Sequence, residues 1–330
     1  MWDYRELWKY CDQEQIRDML LSFRLLGHRD WPEDRVLACL FALSNHPEAH
    51  YHRVQIPKKT GGYRTLDVPD GLLKEVQRNI LHHVLEEFSP SPAAAAYKKG
   101  GSAVCNAAPH RGKRLVLKMD IRDFFGNITF PMVLHHAFPG KYFPTSVGTM
   151  LASLCCLRER LPQGSPASPA VSNLVMRPFD EYMTDWCGQR EITYSRYSDD
   201  MTFSGDFDPA EVVGKTENFL RVYGLEANRE KTRVCTHGFR QSVTGIVVNE
   251  KAQLPRDYRR KLRQEIHYCR TYGVEGHAQR IGMAEGGQIE AKAYLGSLMG
   301  KVSYLLSVNP EDRWFREARE FLREEWKKRS

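Results

Sequence analysis

Ile192-Thr193-Tyr194-Ser195-Arg196-Tyr197-Ser198-Asp199-Asp200-Met201-Thr202-Phe203-Ser204 is the stretch on which the reading of this chain turns. Ile192 to Tyr197 and Met201 to Ser204 are rich in β-branched and aromatic residues, and Ser198-Asp199-Asp200 interrupts them with turn-forming types. The spacing predicts a β-hairpin with adjacent carboxylates at its tip. An Asp-Asp turn alone is more often a solvated loop, so its weight comes from what precedes it. Upstream, Arg114-Leu115-Val116-Leu117-Lys118-Met119-Asp120-Ile121 places Lys118 and Asp120 opposite Leu117 and Met119, the alternation of a half-buried strand with Asp120 near its end. Between the two lies Leu161-Pro162-Gln163-Gly164-Ser165-Pro166-Ala167-Ser168-Pro169. Pro166 and Pro169 introduce a long helix to about Arg190, with Leu174, Phe179, Tyr182, Met183 and Trp186 on one face.

Three carboxylates on neighbouring strands suit one kind of chemistry. Nucleotidyl transfer uses two divalent ions about 3.5–4 Å apart, one activating a hydroxyl and one steadying the triphosphate. Magnesium takes hard oxygen ligands, commonly one or two carboxylates completed by substrate phosphates. Asp120, Asp199 and Asp200 are the expected ligands of two Mg2+ ions, with the Ile121 carbonyl as a further one.

Outward from this centre, residues 1–45 carry apolar positions at helical spacing and form a helical lead-in. Val54 to Pro69 holds two short runs around Lys58-Lys59-Thr60-Gly61-Gly62, a β-hairpin with a basic tip. Leu72 to Phe88 is a helix, Tyr97 to Ser102 a loop, Ser242 to Val248 a strand, and the chain after Pro255 is helical. That last part concentrates the charge. The whole chain is formally +7 over 330 residues, and residues 251–330 alone hold 17 basic against 11 acidic side chains. Arg256, Arg259, Arg260 and Arg263 begin the segment at helical spacing, with Tyr258 and Tyr268 beside them, so it is the candidate phosphate-tracking surface. Eight cysteines without a CxxC pair read as reduced core thiols rather than a disulfide framework. No apolar run reaches the roughly 18 residues a membrane span needs, and Met1-Trp2-Asp3-Tyr4-Arg5-Glu6 does not open a signal peptide. The expectation is a cytoplasmic protein without a membrane partner. The partial sets His46, His50, His52 and Cys235, His237 make no four-ligand zinc site.

The ordered set of a strand aspartate, Leu161-Pro162-Gln163-Gly164 and Tyr197-Ser198-Asp199-Asp200 resembles the reverse transcriptases. Cys105-Asn106-Ala107-Ala108-Pro109-His110 fits the NAxxH pattern, and Val243-Thr244-Gly245 the VTG pattern, of the retron type. The resemblance runs from about residue 51 to about 250. It implies an α+β right-hand polymerase, with fingers over 46–114, palm over 115–250 (131–162 partly in the fingers) and a helical thumb over 251–330. It implies metal binding by Asp120, Asp199 and Asp200, and a steric gate against the ribose 2′-hydroxyl at Phe125. It further implies that Gln163 and Gly164 line the incoming dNTP, that Lys58, Lys59 and Arg64 grip its triphosphate, and that Lys231 in Asn228-Arg229-Glu230-Lys231-Thr232 approaches the pyrophosphate. RNA contacts are carried over to Asn106, His110, Val243, Thr244 and Gly245.

By the same resemblance the partners are a cognate structured non-coding RNA and its DNA product, primed from an RNA 2′-hydroxyl to give branched RNA–DNA, and a defence effector protein. The space after residue 250 leaves no room for a ribonuclease H domain, so a host ribonuclease H would remove template. Ser198 departs from the family's usual Ala but stays small. Two other readings are an RNA-holding scaffold subunit with the same fold, against which the intact triad argues, and a maturase-like intron enzyme, disfavoured by NAxxH and VTG.

Overall fold

The computed structural model describes residues 8, 10–58, 61–282 and 288–329, so Lys59 at the hairpin tip lies outside the described residues. The chain divides into two compact units, the first drawn from 1–101, 118–202 and 207–233, the second from 102–117, 203–206 and 234–330. Helices α1 (Gln13–Ser22) and α2 (Glu33–Asn45) open the first unit, and a capping box between Asp12 and Gln15 starts α1. Strands β1 (Tyr51–Pro57) and β2 (Tyr63–Pro69) pair antiparallel from Tyr51 opposite Pro69 to Pro57 opposite Tyr63, turning through Gly61 and Gly62. Helix α3 (Gly71–His83) follows, capped by Asp70. The short α4 (Ala103–Ala107) belongs to the second unit.

Strand β3 (Leu115–Asp120) is followed by α5 (Phe124–Asn127), α6 (Phe130–His136), α7 (Thr145–Cys155) and the long α8 (Ser168–Gly188). The hairpin β4 (Thr193–Tyr197) and β5 (Asp200–Gly205), α9 (Pro209–Val222) and β6 (Arg233–Thr236) complete a sheet of order β4-β5-β3-β6. Strand β3 is more enclosed than its alternation suggests: all its residues but Lys118 are buried, and Asp120 is 6% exposed.

In the second unit, Ser242 to Val248 is not one strand. Residues β7 (Ser242–Val243) and β8 (Ile246–Val247) pair across Thr244-Gly245, both at positive φ (46° and 81°), as a two-residue hairpin turn requires. Helices α10 (Arg256–Arg280), α11 (Gln288–Val308) and α12 (Arg313–Lys327) then pack Leu262, Ile266, Leu295, Leu298, Phe315 and Leu322 into one apolar cluster with Val243, Ile246 and Val248. Among the described residues no helix is long and apolar enough to cross a membrane, and no disulfide joins the eight cysteines.

Candidate active site

The tip of the β4–β5 hairpin is shaped by one residue. Ser198 adopts a left-handed conformation (φ 61°), uncommon for a residue with a side chain and held where surroundings over-determine it. Two hydrogen bonds do so here: Arg196 Nη1 donates to the Ser198 carbonyl at 2.8 Å, and the Ile121 N–H donates to the Asp199 carbonyl at 3.0 Å. The second bond ties the end of β3 to the turn, which sets Asp120 beside Asp199 and Asp200. Ile121, expected as a ligand through its carbonyl, contributes its N–H to this tie.

Arg196 is itself fully buried. Its Nε lies 2.9 Å from Asp180 Oδ1 and its Nη2 2.6 Å from Asp180 Oδ2, with Nη2 also 3.2 Å from Asn173 Oδ1. The Tyr194 hydroxyl donates to Asp180 Oδ1 at 2.8 Å. Burial opposes the charge on Arg196, but Asp180 outweighs it and the guanidinium pKa is raised. A two-point guanidinium–carboxylate pair with its remaining donors satisfied is the form in which a buried charge is tolerated. Thus α8 braces the carboxylate turn from beneath.

Asp120 is held from the other side. Lys231 Nζ, brought in by a 3₁₀ turn over Arg229–Lys231, donates to Asp120 Oδ1 at 2.8 Å and Oδ2 at 3.0 Å, and the Asn228 N–H donates to the Asp120 carbonyl at 2.7 Å. The hydrogen bond to Asp120 raises the Lys231 pKa. Removal from water, and then the negative charges of Asp199 and Asp120, push Asp200 up to about 6, and removal from water and then Asp120 raise Asp199. Three carboxylates face two cations, Lys231 and Lys118, so the site is short of positive charge. Among the described residues no three His, Cys, Asp or Glu side chains close a metal-ligand set as they stand. Their donor chemistry nevertheless fits Mg2+, which needs only one or two carboxylates when phosphates and waters complete its shell.

Around the triad, Gly164 has φ 134°, and a Cβ there would lie 2.5 Å from the Asp67 carbonyl oxygen. The Asp67 N–H donates to the Gln163 carbonyl at 2.9 Å, so the Gln163-Gly164 backbone lies directly against β2, the strand that carries Arg64. Buried Gln77 anchors the same loop, accepting from Ser165 Oγ at 2.8 Å while its amide donates to Tyr51 Oη at 2.7 Å. Lys58 and Arg64 are exposed. Phe125 is half-buried on α5, its ring 5.3 Å from that of Phe124.

In the second unit the retron-type motifs pack on each other, with Thr244 Oγ1 donating to the Ala103 carbonyl at 2.9 Å. Asn106, His110 and Val243 are enclosed there; His110 Nδ1 lies 2.7 Å from Ser204 Oγ, and burial lowers its pKa to about 4. Of this set, exposed Gly245 and half-buried Thr244 present surface to a ligand. The arginine run also splits. Arg259 Nε donates to the Leu254 carbonyl at 3.1 Å, and Arg263, though exposed, lies 3.8 Å from Asp312 and over the Trp314 and Phe315 rings, so both have partners within the unit. Arg256 is exposed, and Arg260 has only exposed Asp257 at 3.6 Å.

The family model described as reverse transcriptase (RNA-dependent DNA polymerase) matches residues 56–272. Retron Mx65 reverse transcriptase of Myxococcus xanthus is 34% identical over 79% of this chain and 62% of the relative, and retron Ec86 reverse transcriptase of Escherichia coli 32% over 62% and 65%. Retron Ec83 reverse transcriptase of Escherichia coli is 30% identical over 67% of this chain and 76% of the relative. The match to the first two therefore spans less than two thirds of their length. Among solved structures, Candida albicans telomerase with a fragment of telomeric RNA aligns at TM-score 0.46 and 11% identity, over 84% of this chain and 63% of that one.

Proposed function

The chain belongs to the reverse transcriptase family and, within it, to the retron reverse transcriptases, and from that premise we propose that it copies a structured non-coding RNA into DNA, primed from an RNA 2′-hydroxyl, within a phage-defence system. The observation that carries the catalytic part is the convergence of Asp120, Asp199 and Asp200 at the ends of β3 and β5 with Lys231 as the counter-charge. The fingers, palm and thumb assignment, the Mg2+ requirement, dNTP use, an effector protein and an outside ribonuclease H belong to the same proposal.

Asp120, Asp199 and Asp200 would hold Mg2+, which supplies Lewis-acid activation of the primer hydroxyl and neutralises phosphate charge. The protein's own groups do the rest. Arg64 and Lys58 bind the triphosphate, the first as a planar fork and the second as a mobile point charge. Gln163 and Gly164 present backbone to the nucleotide because no side chain fits at 164. The protonated Lys231 amine places a positive charge beside the reacting phosphates. Phe125 walls the sugar, and Phe125→Ala should raise the ratio of ribonucleotide to deoxynucleotide incorporation on one template; an unchanged ratio would place the wall elsewhere.

RNA holding by the second unit is assigned to Arg256 and Arg260, four apart on one face of α10 and not used in packing. Arg256→Ala with Arg260→Ala should flatten the slope of log affinity against log salt by roughly 0.7–0.9 per contact without lowering melting temperature. Arg263→Ala should do the reverse, lowering melting temperature and leaving the slope unchanged. The proposal as a whole is tested by sequencing nucleic acid that co-purifies with the protein. DNA joined covalently to RNA through a 2′ linkage is the expected product, and RNA alone would leave a holding subunit.

A further inference from the structure

We propose that the second unit carries a separate, non-catalytic site: a pocket between α10 and α11 that receives one unstacked ribonucleotide of the bound RNA, its base against His277, Tyr268 and Tyr294 and its phosphate toward Lys261. This rests on the reading of the protein as an RNA binder.

The cavity measures about 340 Å³, near the lower end of the range for small-molecule sites of about 300–1,000 Å³ and too small for a helix or strand to enter. Gly273 breaks α10 at φ 77°, and beyond it Val274, His277 and Ala278 turn inward. His277 is 4% exposed, yet neither Nδ1 nor Nε2 has a hydrogen-bond partner among the described residues. Buried polar atoms are nearly always satisfied, so two unmet atoms on one cavity-lining ring point to a partner that enters from outside. Burial lowers the His277 pKa, and a neutral imidazole offers one donor and one acceptor, a match for the edge of a heterocycle rather than for an anion.

The walls agree with a base. The Tyr268 and Tyr294 rings lie 5.3 Å and 5.8 Å from the His277 ring, and aromatic faces hold unstacked bases whatever their identity. Two lysines line the cavity. Lys301 is engaged with Glu265 at 2.8 Å, whereas Lys261 stands exposed on the same helix as Arg256 and Arg260. An apolar peptide side chain from a protein partner would fill the space but leave both imidazole nitrogens unmet.

The test uses the full chain and its co-purifying RNA, stripped and rebound. His277→Phe keeps a ring and removes both polar atoms. It should weaken that RNA by about tenfold, the scale of the hydrogen bonds removed. Melting temperature should stay equal or rise, and polymerisation on poly(rA)/oligo(dT) should be unchanged. Ultraviolet crosslinking followed by mass spectrometry should find a nucleotide on the Tyr268 or Tyr294 peptide of the parent and lose it in the variant. Ser297→Trp, which blocks the mouth from an exposed position, should reproduce the loss should His277→Phe fail to fold. Unchanged RNA affinity in the folded variants, or a crosslink to a protein in place of a nucleotide, overturns the site. A parent that binds its RNA and shows the crosslink but does not polymerise would sink the polymerase reading and leave the pocket standing.

Discussion

Asp199→Asn and Asp200→Asn should each lower magnesium-dependent dNTP incorporation by about a thousandfold or more, the size of the several kcal/mol that a positioned metal contributes. Affinity for RNA should hardly change, because phosphate contacts dominate it. Asparagine keeps the volume and removes the charge, which gives a second readout. In the absence of metal, burial and the neighbouring carboxylates push the Asp200 pKa up from its ordinary 3.8 to about 6. A carboxyl whose pKa is higher folded than unfolded binds more protons in the native state between those values, so stability falls as pH rises from about 4 to about 6 and stays reduced above that. Asp200→Asn should remove that fall. The metal-free variant should therefore unfold at higher temperature than the parent at pH 7.5 and show no difference from it near pH 4. Retained incorporation by either variant would end the polymerase proposal; a parent and variant with parallel pH–stability curves would show that neither burial nor the neighbouring carboxylates raise the Asp200 pKa.

Much of this site could be read from residue order because its chemistry is local. The carboxylate pair needs a turn, the turn needs flanking β-formers, and Asp120 ends a run that alternates. What escaped was long-range. Nothing local in Asp180 distinguishes it from the other polar residues of α8, yet it is 0% exposed and bound to a residue 16 positions away. Arg196 did carry a signal, an arginine amid apolar β-formers, since a charge in a buried strand demands a partner. Gln77 carried none, because a helix-interior glutamine is ordinary until a loop 88 residues on places Ser165 against it. In the arginine run, Arg259 and Arg263 are four apart and share a face of α10, but periodicity cannot say whether that face meets solvent. Asp312 and Trp314, on the far side of α11 in sequence, give Arg263 partners within the unit while it stays exposed. The flanks of Val243-Thr244-Gly245 are β-prone and read as one strand, while Thr244-Gly245 holds the turn between two.

Arg196→Met should cost about 3–5 kcal/mol, because it strands the Asp180 carboxylate in the interior without a counter-charge. Against a typical total of about 5–15 kcal/mol, a loss of that size leaves the first unit marginal. Urea unfolding at pH 7.5 should show the midpoint move far to lower denaturant. A buried pair is also replaceable: two apolar residues of similar volume often restore stability or exceed it, since two desolvation penalties vanish together. Asp180→Leu combined with Arg196→Met should therefore regain most of the lost stability. It should not regain activity. Arg196 Nη1 also donates to the Ser198 carbonyl, and without that bond the left-handed turn that aims Asp199 and Asp200 loses one of its two ties. The double variant is expected to fold, bind RNA with the parent's salt dependence, and incorporate dNTP slowly at saturating nucleotide. Recovery of both stability and turnover would mean that the pair only supports the fold; recovery of neither would mean that packing around α8 cannot accept the exchange, and Asp180→Asn with Arg196→Gln, which keeps hydrogen-bonding groups at both positions, would then separate bracing from bulk.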